Sequence, residues 1–145
     1  MQRVKGMKFS ASVEINATPE TAWAAVNRVE EWPKWIPSLK KIEKVTEGSL
    51  GVRSQVLVVA RSLITVNLLM TITEFIAGRR VVMEGKVLGV KMTRYYELEP
   101  AGQKKAKLTA GGEVSGLLAF VVRRGGQKLS EEIVQALKKK VEEKV

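Results

Sequence analysis

Between Met7 and Ala17 apolar and polar residues alternate, with Phe9, Ala11, Val13 and Ile15 in one row and Lys8, Ser10, Ser12 and Glu14 in the other. A period of two predicts a half-buried strand. The period then lengthens. In "TPETAWAAV", Ala22, Trp23 and Val26 stand at helical spacing behind Thr18 as N-cap, Pro19 at the first helical position and Glu20 near the positive end of the dipole. Residues 30–35 predict a second short helix that Pro37 ends. From there strands follow at 39–47, 52–60, 63–76, 81–87, 90–100 and 106–114, most of them joined by short connections bearing glycine. Together with the first they predict a seven-stranded antiparallel meander, and no helix long enough for a parallel crossover intervenes among the last six.

The last 30 residues, 116–145, return to helical spacing: Leu118, Val122, Leu129, Ile133, Leu137 and Val141 predict one long amphipathic helix. Gly125 and Gly126 interrupt it, each costing about 1 kcal/mol relative to alanine in a helix interior. The pair predicts either a kink or a place where something approaches the backbone closely. In the kinked case Ser130, with Glu131 and Glu132, can cap a second segment. In the continuous case Gly126→Ala stabilises by about 0.4–1 kcal/mol. The same geometry turns one of the two glycines towards the sheet.

A curved sheet cannot cover its own concave face, and a long helix with one apolar stripe can lie across it. The gap between them is a natural cavity, and this gives the segment "EEWPKWIP" at 30–37 a role. Trp32 and Trp35 would close one end of the cavity, with Pro33 and Pro37 setting the path of the chain; the alternative is plain core. Trp23 belongs to its own helical stripe.

Composition narrows the chemistry. The chain of 145 residues has no His and no Cys, and reading along it finds no Asp. Disulfides, thiolate chemistry, the usual catalytic triads and ordinary zinc sites are thereby disfavoured, so no metal and no cofactor are expected. Glu, Lys, Tyr and Arg remain for acid–base work. The net charge of +10 comes from 25 basic and 15 acidic residues scattered along the chain. Even "KKK" at 138–140 is followed by Glu142 and Glu143, as on a solvated helix face. Specific nucleic-acid binding is not expected, while transient contact with an anionic membrane surface stays open. With no apolar run of membrane-spanning length and no signal-like start, the expectation is one cytoplasmic domain over 1–145, monomeric or dimeric.

The order of elements and several segments resemble a known family. "VEINATPETAWAAV", "EEWPKWIPSLKKIEKV" and "MTRYYELEPAGQKKAKLTAGGEV" are similar to the START-like (SRPBCC) polyketide cyclase/dehydrase proteins, which also include coenzyme-Q-binding and pollen-allergen-type members. The resemblance implies an α+β helix-grip fold: a curved seven-stranded antiparallel sheet around a long C-terminal helix, with two short helices between the first two strands. It also implies binding or transport of a hydrophobic small molecule, such as a lipid, quinone or polyketide-like compound. The alternatives are a polyketide cyclase or aromatase, or an accessory protein to a carbon monoxide dehydrogenase-like complex. Fold alone does not choose among them.

Candidate cavity residues follow from alternation and position. On the strand 63–76, Ile64, Val66, Leu68, Met70 and Ile72 share one face, while Leu63, Thr65, Asn67, Leu69 and Thr71 share the other, which is less polar than a free solvent face. Met83 and Met92 offer soft, adaptable surface. Asn67, Glu84, Arg94 and Tyr96 are the polar candidates, and Arg94 keeps phase with Met92 and Tyr96. The opposite phase would bury Tyr95 instead. An inward Arg94 requires a partner, either Glu84 or an acid group on the ligand. Trp35, Gly125, Gly126, Leu129 and Ile133 complete the expected lining.

Overall fold

The structure is a computed structural model, and it describes residues 6–61, 65–87 and 89–143. Seven strands form one antiparallel sheet: β1 (Met7–Ile15), β2 (Leu39–Lys44), β3 (Gln55–Arg61), β4 (Thr65–Ile76), β5 (Arg80–Val87), β6 (Val90–Pro100) and β7 (Ala106–Ser115). Their spatial order is β1-β7-β6-β5-β4-β3-β2, so the two strands flanking the short helices become opposite edges. This is the α+β helix-grip arrangement, with helix α1 (Pro19–Val26), a 3-10 helix (Val29–Lys34) and the long helix α2 (Ala119–Glu142). Ile64 and Leu63 of the expected fourth strand lie outside the described residues.

Local chemistry accounts for most boundaries. Thr18 accepts the Thr21 N–H at 3.3 Å and Pro19 opens α1, as the sequence predicts. The strand expected from 52 begins at Gln55, because Arg53 has a φ of +78° and breaks the extended backbone. The helix expected from 116 begins at Ala119, because Gly116 at φ +130° turns the chain out of β7 first.

Where α2 lies is decided by β7. The inward row of that strand is Ala106, Leu108, Ala110, Gly112 and Val114, all buried and mostly small. Small side chains allow the helix to approach, and α2 packs chiefly on β7 and its neighbour β1. Ile133, Leu137 and Val141 fill that contact. The inward rows of β3 to β6 are larger but stand farther from the helix, and the space between is left unfilled.

The helix runs through Gly125 and Gly126 unbroken. Ser130 therefore caps no second segment. Its hydroxyl donates back to the Gly126 carbonyl at 2.8 Å, which satisfies a buried Ser inside a helix. The glycines serve different ends. A Cβ on Gly125 meets nothing within 4 Å, whereas one on Gly126 would stand 2.9 Å from Cζ of Phe9. A Cβ at Gly126 would press on the Phe9 ring, and this opposes the stabilisation expected of Gly126→Ala.

Candidate ligand-binding cavity

The unfilled space is a cavity of about 760 Å³ between α2 and the concave side of the sheet. Val56 and Val58 of β3, Val66, Leu68, Met70 and Ile72 of β4, Val81, Met83 and Val87 of β5, and Met92 of β6 form its floor. Val29 and Trp32 close one end, and α2 roofs it with Val122, Leu129 and Ile133. Its size falls within the range of about 300–1,000 Å³ typical of small-molecule sites, and apolar walls with few polar groups are the usual construction.

The polar groups cluster at one place. β6 turns Met92, Arg94 and Tyr96 inward, which settles the phase left open by the sequence. Tyr95 lies on the other face, with the Arg80 guanidinium 5.3 Å from its ring centre. Arg94 is only 5% exposed. Its Nη2 donates to the Ser130 hydroxyl at 3.0 Å and its Nε to the Tyr96 hydroxyl at 3.3 Å. Its guanidinium carbon stands 5.4 Å from the Phe9 ring centre and 5.8 Å from that of Tyr96. Gly112, opposite Arg94 on β7, and Gly126 on α2 leave the room that the Phe9 ring occupies.

Trp32 braces this cluster. Its indole N–H donates to the Ala25 carbonyl at 3.1 Å, and its ring meets Tyr96 edge to face at a centroid distance of 5.0 Å. Exposed residues of the lining mark the mouth: Arg61, Phe120, Val121, Arg124, Gly125 and Lys128. Among the described residues Glu132 is the one carboxylate in the lining, and Ser38 donates a 2.5 Å hydrogen bond to it.

The structure brings Met83, Met92, Arg94, Tyr96, Gly125, Gly126, Leu129 and Ile133 to the cavity wall. It places three other candidates elsewhere. Asn67 is out of phase with Val66 and Leu68, so it lies exposed on the outer face. Glu84, next to inward-facing Met83, also points outward, paired in register with Thr71 and Thr93. It is therefore no partner for Arg94. Trp35 lies just past the 3-10 helix, half-buried with Lys140 5.4 Å from its ring centre, and it does not line the cavity. Trp32 takes the role expected of Trp35. Sequence reasoning missed Ser130, Glu132 and Phe9 as well. The i, i+4 relation of Gly126 to Ser130 was a legible signal for the first, but the approach of Phe9 needed the tertiary contact.

The chain matches the family model "Polyketide cyclase / dehydrase and lipid transport" over residues 7–142. It belongs to that family. Its architecture is that of the START-like SRPBCC superfamily, and solved structures agree in fold. The Zhui aromatase/cyclase from Streptomyces sp. R1128 superposes with a TM-score of 0.83 at 12% identity, covering 97% of this chain and 96% of that one. A START superfamily protein from Mycobacterium smegmatis gives 0.80 at 18% identity, covering 97% and 100%. A norcoclaurine synthase from Thalictrum flavum gives 0.75 at 14% identity, covering 99% of each. No curated protein matches the sequence. At such identities the likeness extends to fold alone, and the chemistry must be argued from the cavity.

Proposed function

We propose that this protein binds or carries a hydrophobic small molecule, of lipid, quinone or polyketide type, inside the cavity under α2. The observation that carries the reading is the cavity itself: about 760 Å³ walled by Val, Leu, Ile and Met. Left without an occupant, so much apolar surface would lack packing partners; a ligand supplies them and gains the transfer free energy. Binding is favoured over catalysis because the interior polar groups are engaged with one another, Arg94 with Tyr96 and Ser130 and Glu132 with Ser38. Among the described residues no free acid–base pair faces the space. The family's description, which names lipid transport beside cyclase and dehydrase chemistry, supports the same reading.

The rim supports transient contact with an anionic membrane surface. Leu117 is 97% exposed, and Leu118, Phe120 and Val121 are exposed beside it, with Arg123, Arg124 and Lys128 on the following turns of α2. Apolar side chains to insert, basic ones to meet lipid phosphates and a cavity mouth directly behind them suit the collection of a lipophile. Among the described residues no helix is long and apolar enough to cross a membrane.

The test of cavity binding is native mass spectrometry of the purified protein together with titration by a fluorescent lipid. Saturable uptake at one site is expected. Absence of bound mass and of saturable uptake across lipids, quinones and polyketides would overturn the reading.

A further inference from the structure

We propose that the occupant carries an anionic head group, a carboxylate or a like acid oxygen, which Arg94 receives. This rests on the reading of the cavity as a lipophile site and adds the chemical class of the ligand.

Arg94 stands in the middle of β6, 5% exposed, on the wall of an otherwise apolar space. Guanidinium groups keep their charge in proteins, so the cavity has a fixed positive centre. Its partners are all neutral: two hydroxyls and the faces of two aromatic rings. None of the five ion pairs among the described residues includes it. Nη1 has no hydrogen-bond partner there either, and no buried side-chain polar atom among the described residues is unsatisfied, so this nitrogen keeps some accessible surface on the wall of the cavity.

A buried charge with only neutral partners bears most of its desolvation cost uncompensated. Cation–π contacts recover a part of it. An acid group on the ligand recovers the rest, through a charge-assisted hydrogen bond to a fork held in place from behind by Tyr96 and Ser130. The wider field has the same sign. Among the described residues Arg61, Arg94, Arg124 and Lys128 line the cavity against the single carboxylate of Glu132, four positive charges to one negative. Such a mouth draws in anionic amphiphiles and repels cationic ones.

A fatty acid and a fused-ring polyketide acid share this head-group chemistry, so the probes represent both. Calorimetric titration of the full chain compares dodecanoate, methyl dodecanoate, dodecylammonium and naphthoate. The wild type is expected to bind dodecanoate at least about tenfold more tightly than its methyl ester, with dodecylammonium the weakest. A naphthoate preference over dodecanoate points to the fused-ring source, and the reverse to the acyclic one. Arg94→Met should bring acid and ester to similar affinity, and Arg94→Lys should keep part of the preference. Equal affinity of the wild type for acid and ester, or a preference that persists in a folded Arg94→Met, overturns the proposal and leaves the lipophile reading intact. Failure of every probe, the ester included, removes both. If Arg94→Met does not fold by circular dichroism, the wild-type ratio and Arg94→Lys decide.

Discussion

Alanine at Gly125 and at Gly126 should move stability in opposite directions, although the two positions are adjacent in one continuous helix. Each substitution gains helix propensity, about 0.8–1 kcal/mol relative to glycine. At Gly125 nothing lies within 4 Å of the new Cβ, so a net gain of about 0.4–1 kcal/mol should survive. At Gly126 the new methyl would stand 2.9 Å from Cζ of Phe9 and 3.1 Å from both Cε atoms. The ring has nowhere to go. A Cβ on Gly112 would stand 2.8 Å from the same Cζ, and the Arg94 guanidinium lies against the ring. Overpacking of this kind costs about 1–3 kcal/mol, which exceeds the propensity gain. The net loss is about 1 kcal/mol, or a fall in Tm of about 2–4 °C for a chain of this size. Thermal and urea melts of the two single variants, and of Gly126→Ala in a Phe9→Leu background, measure it. Relief in that background should appear as a coupling energy of about 1 kcal/mol. If Gly126→Ala raises Tm as much as Gly125→Ala does, or costs as much without the Phe9 ring, the close-approach argument is wrong.

Two further outcomes follow from other parts of the molecule. Glu142 is held below the usual carboxylate range, first by the hydrogen bond from Lys138 Nζ at 2.7 Å and then by the Asn16 N–H at 2.9 Å, against a smaller effect of burial. A carboxylate with a lowered folded pKa contributes stability that is full above its unfolded pKa and lost as pH falls through the folded one. Glu142→Gln should therefore lower Tm at about pH 7, and the deficit should shrink as pH falls through and below the carboxylate range; a deficit that does not change with pH would refute this. At the cavity mouth, Leu117→Ser with Phe120→Ser should weaken cosedimentation with vesicles rich in phosphatidylglycerol, and added salt should weaken that of the wild type. A wild type that ignores such vesicles would exclude the membrane contact.

Phe9, Met92 and Gly126 divide what could be read along the chain from what could not. The strand around Phe9, the helix from Thr18 and the long C-terminal stripe are local patterns, because backbone periodicity and capping act over a few residues. Their order was enough to specify seven antiparallel strands gripping one helix. The inward phase of Arg94 was not local. Alternation assigns Met92, Arg94 and Tyr96 to a common face but cannot say which face is covered, and only the seating of α2 decides it. The same holds for Asn67 and Glu84, chosen as polar groups in apolar strands and placed outside by a single step of phase. Trp32 and Trp35 look equivalent in sequence; the end of the 3-10 helix sends one to Tyr96 and leaves the other beside Lys140. The cavity itself depends on small residues of β7 drawing the helix to one side of the sheet, a consequence of packing between segments far apart in the chain. Periodicity thus determined the elements, and contact between distant surfaces determined the site.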